Sequence, residues 1–240
     1  MSNSWFRFKQ FKINQDRTAM KVGTDGVLLG AWTDVANAKR VLDIGTGTGL
    51  IALMIAQRNS EAVVDAIDID EHACGQAEEN ASASPWRERV KVTHSSLEQF
   101  AENTDNKYDL IVCNPPYFIN SKRSDDEKRR LARHADELTL EHLFRASAVL
   151  LADTGRMGIV FPFVDKDKVI KAAARNGLHP EKILNVKHNE EKQPVRVLIS
   201  FSKERNVFAG EKDIAVETGV RHNYTKEFTD LVRDFYLYVD

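Results

Sequence analysis

Between residues 40 and 177, short apolar runs rich in β-branched side chains alternate with longer stretches whose apolar positions recur at helical spacing. RVLDI at 40–44, VVDAIDI at 63–69, VKVTH at 90–94, YDLIVC at 108–113 and RMGIVF at 156–161 predict strands. LIALMIAQR at 50–58, EHACGQAEENAS at 71–82, LTLEHLFRASAVLLA at 138–152 and DKDKVIKAAARNG at 165–177 predict helices, the last closed by Gly177. Each helix returns the chain to begin the next strand in the same direction, so the alternation predicts an α/β fold with a doubly wound, mostly parallel, Rossmann-like sheet. The end breaks that rule. EKILNVKHN at 181–189 and PVRVLISFS at 194–202 are joined by only EEKQ, a connection that permits only an antiparallel hairpin. The expected sheet therefore has seven strands and finishes in that hairpin.

The flanks are read from the same patterns. WFRFKQFKI at 5–13 partly alternates aromatic with basic or polar residues, as in a half-buried strand or hairpin. Asp25 is placed to cap a short helix through Val27, Leu28, Leu29 and Trp32, against which Gly26 and Gly30 weigh. Residues 1–37 are expected to form an N-terminal extension and 38–240 the main domain. That domain closes with a helix in YTKEFTDLVRDFYLYV at 224–239, carrying Phe228, Leu231, Val232 and Phe235 on one face.

Composition narrows the class of protein. A chain of 240 residues buries roughly 70–75% of its unfolded surface, enough to fold without a disulfide or metal. No apolar run reaches the ~20 residues of a membrane span, and MSNSWFRFKQFKI has no signal-peptide core. Cys74 and Cys113 have no metal-ligand spacing, so no metal site is expected, and they suit a reducing, cytoplasmic compartment. The formal charge is -2, so any nucleic-acid partner must be met by a local basic face.

Asp43-Ile44-Gly45-Thr46-Gly47-Thr48-Gly49 joins the first central strand to its helix. Alternate glycines allow a sharp turn and let a ligand lie against the backbone, and the crevice of a doubly wound sheet lies at this end of the strands. A dinucleotide fingerprint would need glycine where Leu50 stands. Asp43 before the glycines can reach the amino-acid end of S-adenosylmethionine. Asp68, ending the next strand, can take ribose hydroxyls, with Asp70 as its neighbour. Ser95 and Ser96 follow the third strand, where they can contact the adenine moiety or cap the next helix.

Asn114-Pro115-Pro116-Tyr117 follows YDLIVC, 65 residues beyond Gly49. The prolines fix the backbone and leave the Pro115 carbonyl free beside the Asn114 amide oxygen. Two convergent acceptors suit a planar NH2 group with two N–H donors, and Tyr117 can stack on the ring that carries it. Such a nitrogen needs polarisation more than a strong base, because its lone pair is delocalised.

These residues resemble the N6-adenine and N5-glutamine methyltransferases that share the Asn-Pro-Pro-Tyr signature. More narrowly, the chain resembles the tRNA(Val) adenine-37 N6-methyltransferase family of gamma-proteobacteria. The stretches that carry this likeness are QDRTAMKVGTDGVLLGAW at 15–32, VLDIGTGTGLIALMIAQR at 41–58, SPWRERV at 84–90, YDLIVCNPPYF at 108–118, RVLISFS at 196–202 and FYLYV at 235–239. The resemblance implies an S-adenosylmethionine-dependent enzyme acting on the adenine beside a tRNA anticodon; a monomer is expected. It implies Asn114, Pro115 and Tyr117 at the target base. Lys21, Gly23, Thr24, Asp43, Gly45, Gly47, Gly49, Asp68, Ser96 and Asn114 would lie at the cofactor. Lys21, Gly23 and Thr24 match the segment lining the methionine end, while Ser95 and Ser96 replace the commoner Asp.

Residues 119–137 lack periodicity and follow Tyr117, as an RNA-contacting loop would. Lys122, Arg123, Lys128, Arg129, Arg130 and Arg133 face only Asp125, Asp126 and Glu127 over its first part. With Phe118, and with Arg7 and Lys9 interleaved among aromatics near the N-terminus, these are the candidate contacts to an anticodon loop. Glutamine methylation of a protein and N2 methylation of guanine are the rival chemistries. A non-catalytic RNA-binding or cofactor-sensing role and a nicotinamide dehydrogenase are the alternatives of other classes.

Overall fold

The computed structural model describes residues 3–115, 138–205, 207–220 and 223–238. The strands are β1 (Trp5–Arg7), β2 (Lys12–Asn14), β3 (Arg40–Ile44), β4 (Val63–Asp68), β5 (Val90–His94), β6 (Tyr108–Cys113), β7 (Leu151–Pro162), β8 (His179–Asn189), β9 (Arg196–Ser202) and β10 (Gly210–Glu217). The helices are α1 (Thr24–Trp32), α2 (Leu50–Arg58), α3 (Glu71–Ser82), α4 (Leu97–Glu102), α5 (Leu140–Leu150), α6 (Lys166–Arg175) and α7 (Lys226–Val232).

β1 and β2 pair as the N-terminal hairpin, and the other strands form one sheet in the order β10-β8-β9-β7-β6-β3-β4-β5. Only β9 runs antiparallel to its neighbours β7 and β8, so the terminal hairpin is formed as expected. The continuous apolar runs of the central strands are explained by burial on both faces. Val41, Leu110 and Val112 point into one core with α1, α2 and α7. Their neighbours Leu42, Ile111 and Cys113 point into the other with α5 and α6. From β3 the chain winds outward to β5, then returns to β6 on the other side of β3. The order therefore reverses between β3 and β6, and at such a point the loops diverge and leave a crevice at the carboxyl ends of the strands.

Four local expectations are corrected. The sheet has an eighth strand, β10, lying parallel to β8 at the edge. It carries few apolar residues and is held by polar ones. Asn185 Nδ2 donates to Glu211 and Asp213 at 2.5 and 2.8 Å, while Lys166 and Lys187 pair with the same carboxylates. These hydrogen bonds hold the Glu211 and Asp213 carboxyls below their ordinary range, Asn185 contributing most for Glu211 and Lys187 most for Asp213. The helix expected through residue 152 stops at Leu150, because Leu151 already pairs with Tyr108 at the start of β7. The final helix also stops early, at Val232. Turns carry the chain on to Phe235, which is buried in the same core as Phe228 and Val232. Lastly, Gly23 rather than Asp25 occupies the cap of α1, and Asp25 in the first turn accepts from Arg196 Nε at 2.9 Å.

The two glycines that weigh against α1 allow its packing. A Cβ at Gly30 would sit 2.8 Å from Met54 Sδ and 3.0 Å from Met54 Cβ, and one at Gly26 would lie 3.3 Å from Leu50 Cδ2. Their absence lets α1 lie close on α2. Gly30→Ala improves helix propensity by roughly 1 kcal/mol, but overpacking costs about 1–3 kcal/mol. Urea denaturation should therefore give a lower midpoint for Gly30→Ala; a raised midpoint would show that propensity, not contact, dominates there.

Candidate active site

The glycine loop leaves β3 at the crevice. Gly45, Gly47 and Gly49 all have positive φ, at 68°, 56° and 80°. A Cβ on Gly45 or Gly47 would meet no atom of the described residues within 4 Å, so at these positions conformation demands glycine and the adjoining space is open among those residues. Gly49 instead packs against Ala77, 3.4 Å from where its Cβ would be. Backbone bonds fix the turn. Gly45 and Thr46 donate to Ile67 O at 2.9 and 3.0 Å, and Gly49 donates to Thr46 O at 2.9 Å. Asp68 takes part as well, its Oδ2 accepting from Gly47 N at 2.9 Å and its Oδ1 from Asp70 N at 3.0 Å. Asp70 itself caps α3 through His72 N.

Asp43 lies beneath the loop, fully buried. Its Oδ2 accepts from Thr46 Oγ1 at 2.6 Å, while Oδ1 has no hydrogen-bond partner among the described residues. Burial pushes the carboxyl up to about 7, although the Thr46 hydroxyl and the Ala52 amide oppose the rise. A buried carboxylate with a spare oxygen suits a cationic donor.

Asn114 follows Cys113, which is in register with Ile44, so its backbone emerges beside Gly45. The Oδ1 atom is buried and unpartnered among the described residues, and Nδ2 lies 3.7 Å from the position of a Cβ on Gly26. Pro115 is buried next to it. The crevice is thus bordered by the glycine loop, the end of β6 and the first turn of α1. Two buried oxygens, on Asp43 and Asn114, have among the described residues none of the donors that burial normally requires. A ligand with an ammonium group and an exocyclic amine can supply such donors.

The other expected site residues fall in several places. Gly23 and Thr24 are exposed at the N-terminus of α1, where no side chain caps the helix. Lys21 is exposed just before them, its Nζ 3.5 Å from Asn3 O. Ser96 caps α4 by accepting from Gln99 N at 3.2 Å, and Ser95 N donates to Asp68 O at 3.0 Å. Lys9 holds the C-terminal segment, with Nζ donating to Arg233 O at 2.6 Å and its backbone N donating to Phe235 O at 2.8 Å. Arg7 lies in β1, paired with Lys12. Phe11, beyond the hairpin turn, packs on Trp86 just after α3, toward the end of the sheet opposite the crevice. Tyr117, Phe118, Lys122, Arg123, Arg129, Arg130 and Arg133 lie outside the described residues.

Several residues that shape the site left no sequence signal. Gln15 is buried and ties the approach to α1, accepting from Val22 N at 2.8 Å and donating to Asn3 O at 3.0 Å. Asn80, buried in α3, bonds both β2 and the glycine loop. The spacing of Gly26 and Gly30, one helical turn apart, is the one local hint of a close helix contact.

Comparison with known proteins agrees with this architecture. The methyltransferase small domain family model matches residues 20–175. A tRNA1(Val) (adenine(37)-N6)-methyltransferase of Parabacteroides distasonis is 47% identical, over 99% of both chains. A protein of the same name from Flavobacterium psychrophilum is 46% identical, over 97% of this chain and 99% of the relative. Among solved structures, a predicted O-methyltransferase from Agrobacterium tumefaciens is similar with a TM-score of 0.67 and 19% identity, covering 88% of this chain and 96% of that one. At that identity the likeness establishes the fold alone. The near full-length sequence matches establish more: this chain belongs to the methyltransferase small domain family and, within it, to the tRNA1(Val) (adenine(37)-N6)-methyltransferases.

Proposed function

We propose that the enzyme methylates the N6 amine of adenine 37 in tRNA(Val), with S-adenosylmethionine as methyl donor. Relatives matched over nearly their whole length carry that activity in their names. The observation that carries the chemistry is the buried Oδ1 of Asn114, without a hydrogen-bond partner among the described residues, one residue past β6 at the switch point of the sheet.

The residues present fit the cofactor. Open space over Gly45 and Gly47 would admit it against the backbone, the spare Asp43 oxygen would take its ammonium group, and Asp68 would take the ribose hydroxyls. When bound, it supplies an electrophilic methyl group. Asn114 Oδ1 and the Pro115 carbonyl hold the two N–H donors of the target amine, which orients its lone pair and favours a more tetrahedral nitrogen. Tyr117 stacks on the adenine, a contact worth roughly 1–3 kcal/mol. The base must leave its stack to enter, which favours a loop nucleotide over a paired one. Lys122, Arg123, Arg129, Arg130 and Arg133, close in sequence to Tyr117, supply phosphate contacts. A tRNA substrate puts this work in the cytoplasm.

The test is incubation with methyl-labelled cofactor and tRNA(Val), followed by nucleoside analysis. N6-methyladenosine should form at position 37 and be absent when that position is guanosine. Label appearing instead in a glutamine-containing release-factor substrate would overturn the reading.

A further inference from the structure

The glycine loop is also bonded from behind, by a residue to which the proposed reaction gives no role. Asn80, only 1% exposed, lies on α3 between the N-terminal hairpin and the loop. Its Oδ1 accepts from Asn14 N at 2.8 Å, and its Nδ2 donates to Asn14 O and to Thr48 O, both at 2.9 Å. The amide orientation follows from these partners, because a backbone N–H can only donate and a carbonyl can only accept. The Thr48–Gly49 peptide is thereby held at both ends. Its carbonyl is bound by Asn80, and its N–H, on Gly49, donates to Thr46 O at 2.9 Å. Anchoring this peptide fixes Gly49 at its φ of 80° and orients the adjoining turn at Gly47, over which the space is open.

We propose that Asn80 is a positioning residue for the cofactor: it transmits the seating of the N-terminal hairpin to the glycine loop and so sets cofactor affinity. The inference rests on the cofactor reading above. Without the side-chain donor, the buried Thr48 carbonyl loses its partner and the loop samples other peptide orientations, so binding must first reorder it. The hairpin is then part of the cofactor site, although its own side chains need not touch the ligand.

The test compares wild type, Asn80→Asp, Asn80→Ala and Val232→Ala, the last a core variant of α7 that destabilises without touching the loop. Calorimetry with S-adenosylhomocysteine should show Kd raised at least about tenfold in both Asn80 variants and unchanged in Val232→Ala. KM for S-adenosylmethionine should rise by a similar factor, with kcat at saturating cofactor and tRNA affinity within about twofold of wild type. Independently of any ligand, amide exchange of the peptide spanning residues 43–54 should quicken in the Asn80 variants alone. Wild-type affinity in a folded Asn80→Ala protein, unchanged loop exchange, or equal weakening in Val232→Ala would each overturn the proposal. Failure of wild type itself to bind S-adenosylhomocysteine would refute the cofactor reading instead. If Asn80→Asp does not fold, the neutral Asn80→Ala variant decides.

Discussion

Replacing Asn114 by alanine should leave a folded protein that binds cofactor and tRNA but methylates roughly 10²- to 10³-fold more slowly, the scale of losing one pre-organised polar group at a reacting centre. The expectation comes from the free state. Because Asn114 Oδ1 has no partner among the described residues, its truncation breaks no hydrogen bond of Oδ1 to any of them. A structural asparagine would behave oppositely, since its removal would orphan a buried partner and lower stability by about 1–3 kcal/mol. Single-turnover rates and thermal midpoints therefore separate the two roles. Asn114→Asp keeps an oxygen acceptor and should retain more activity than Asn114→Ala. A marked loss of stability in Asn114→Ala with an unchanged single-turnover rate would refute the assignment.

Asp43 should make both stability and cofactor affinity depend on pH, in opposite senses. Its folded carboxyl titrates at about 7, above the ordinary 3.8, so the folded cofactor-free protein holds this proton more tightly than the unfolded chain. The associated stability is fully present below pH 3.8 and is lost as pH rises through about 7. That rise in pKa corresponds to at most ~4 kcal/mol. Asp43→Asn cannot ionise, so above pH 7 the cofactor-free variant should melt at a higher temperature than wild type, the gap closing in acid. Binding runs the other way. An ammonium group is best met by the ionised carboxylate, so wild-type affinity for S-adenosylhomocysteine should increase between pH 6 and 8. Asp43→Asn should bind about 10- to 100-fold more weakly at pH 8 and show a flat profile, the loss expected for a buried charged pair. A flat profile in wild type, or pH-dependent binding that persists in Asp43→Asn, would remove Asp43 from the ligand contact.

What the sequence determined by itself was whatever is written in local periodicity and turn chemistry. The buried strands from Arg40 to Ser202, the helices between them and the terminal hairpin follow from runs of apolar residues and from connection lengths. The glycine loop was equally legible, since three alternate glycines in this setting indicate a turn with positive φ, and all three adopt it. The position of Asn114 beside that loop follows from strand order, which the alternation of elements restricts to few arrangements. What only the tertiary structure decided depends on polar groups that meet across long stretches of sequence. β10 is tied to β8 by Asn185 and Lys187 and to α6 by Lys166, and GEKDIAVE has too little apolar alternation to reveal it. The final helix ends where Lys9, more than two hundred residues earlier, takes the Arg233 carbonyl. Phe228, Val232 and Phe235 keep helical spacing through that end, so periodicity could not mark it. Asn80 and Gln15 read as ordinary polar residues until folding buries them against backbone groups. Hydrophobic burial is non-directional and leaves a repeating trace along the chain, whereas a hydrogen bond between distant residues depends on a single geometry that exists only once the elements have packed.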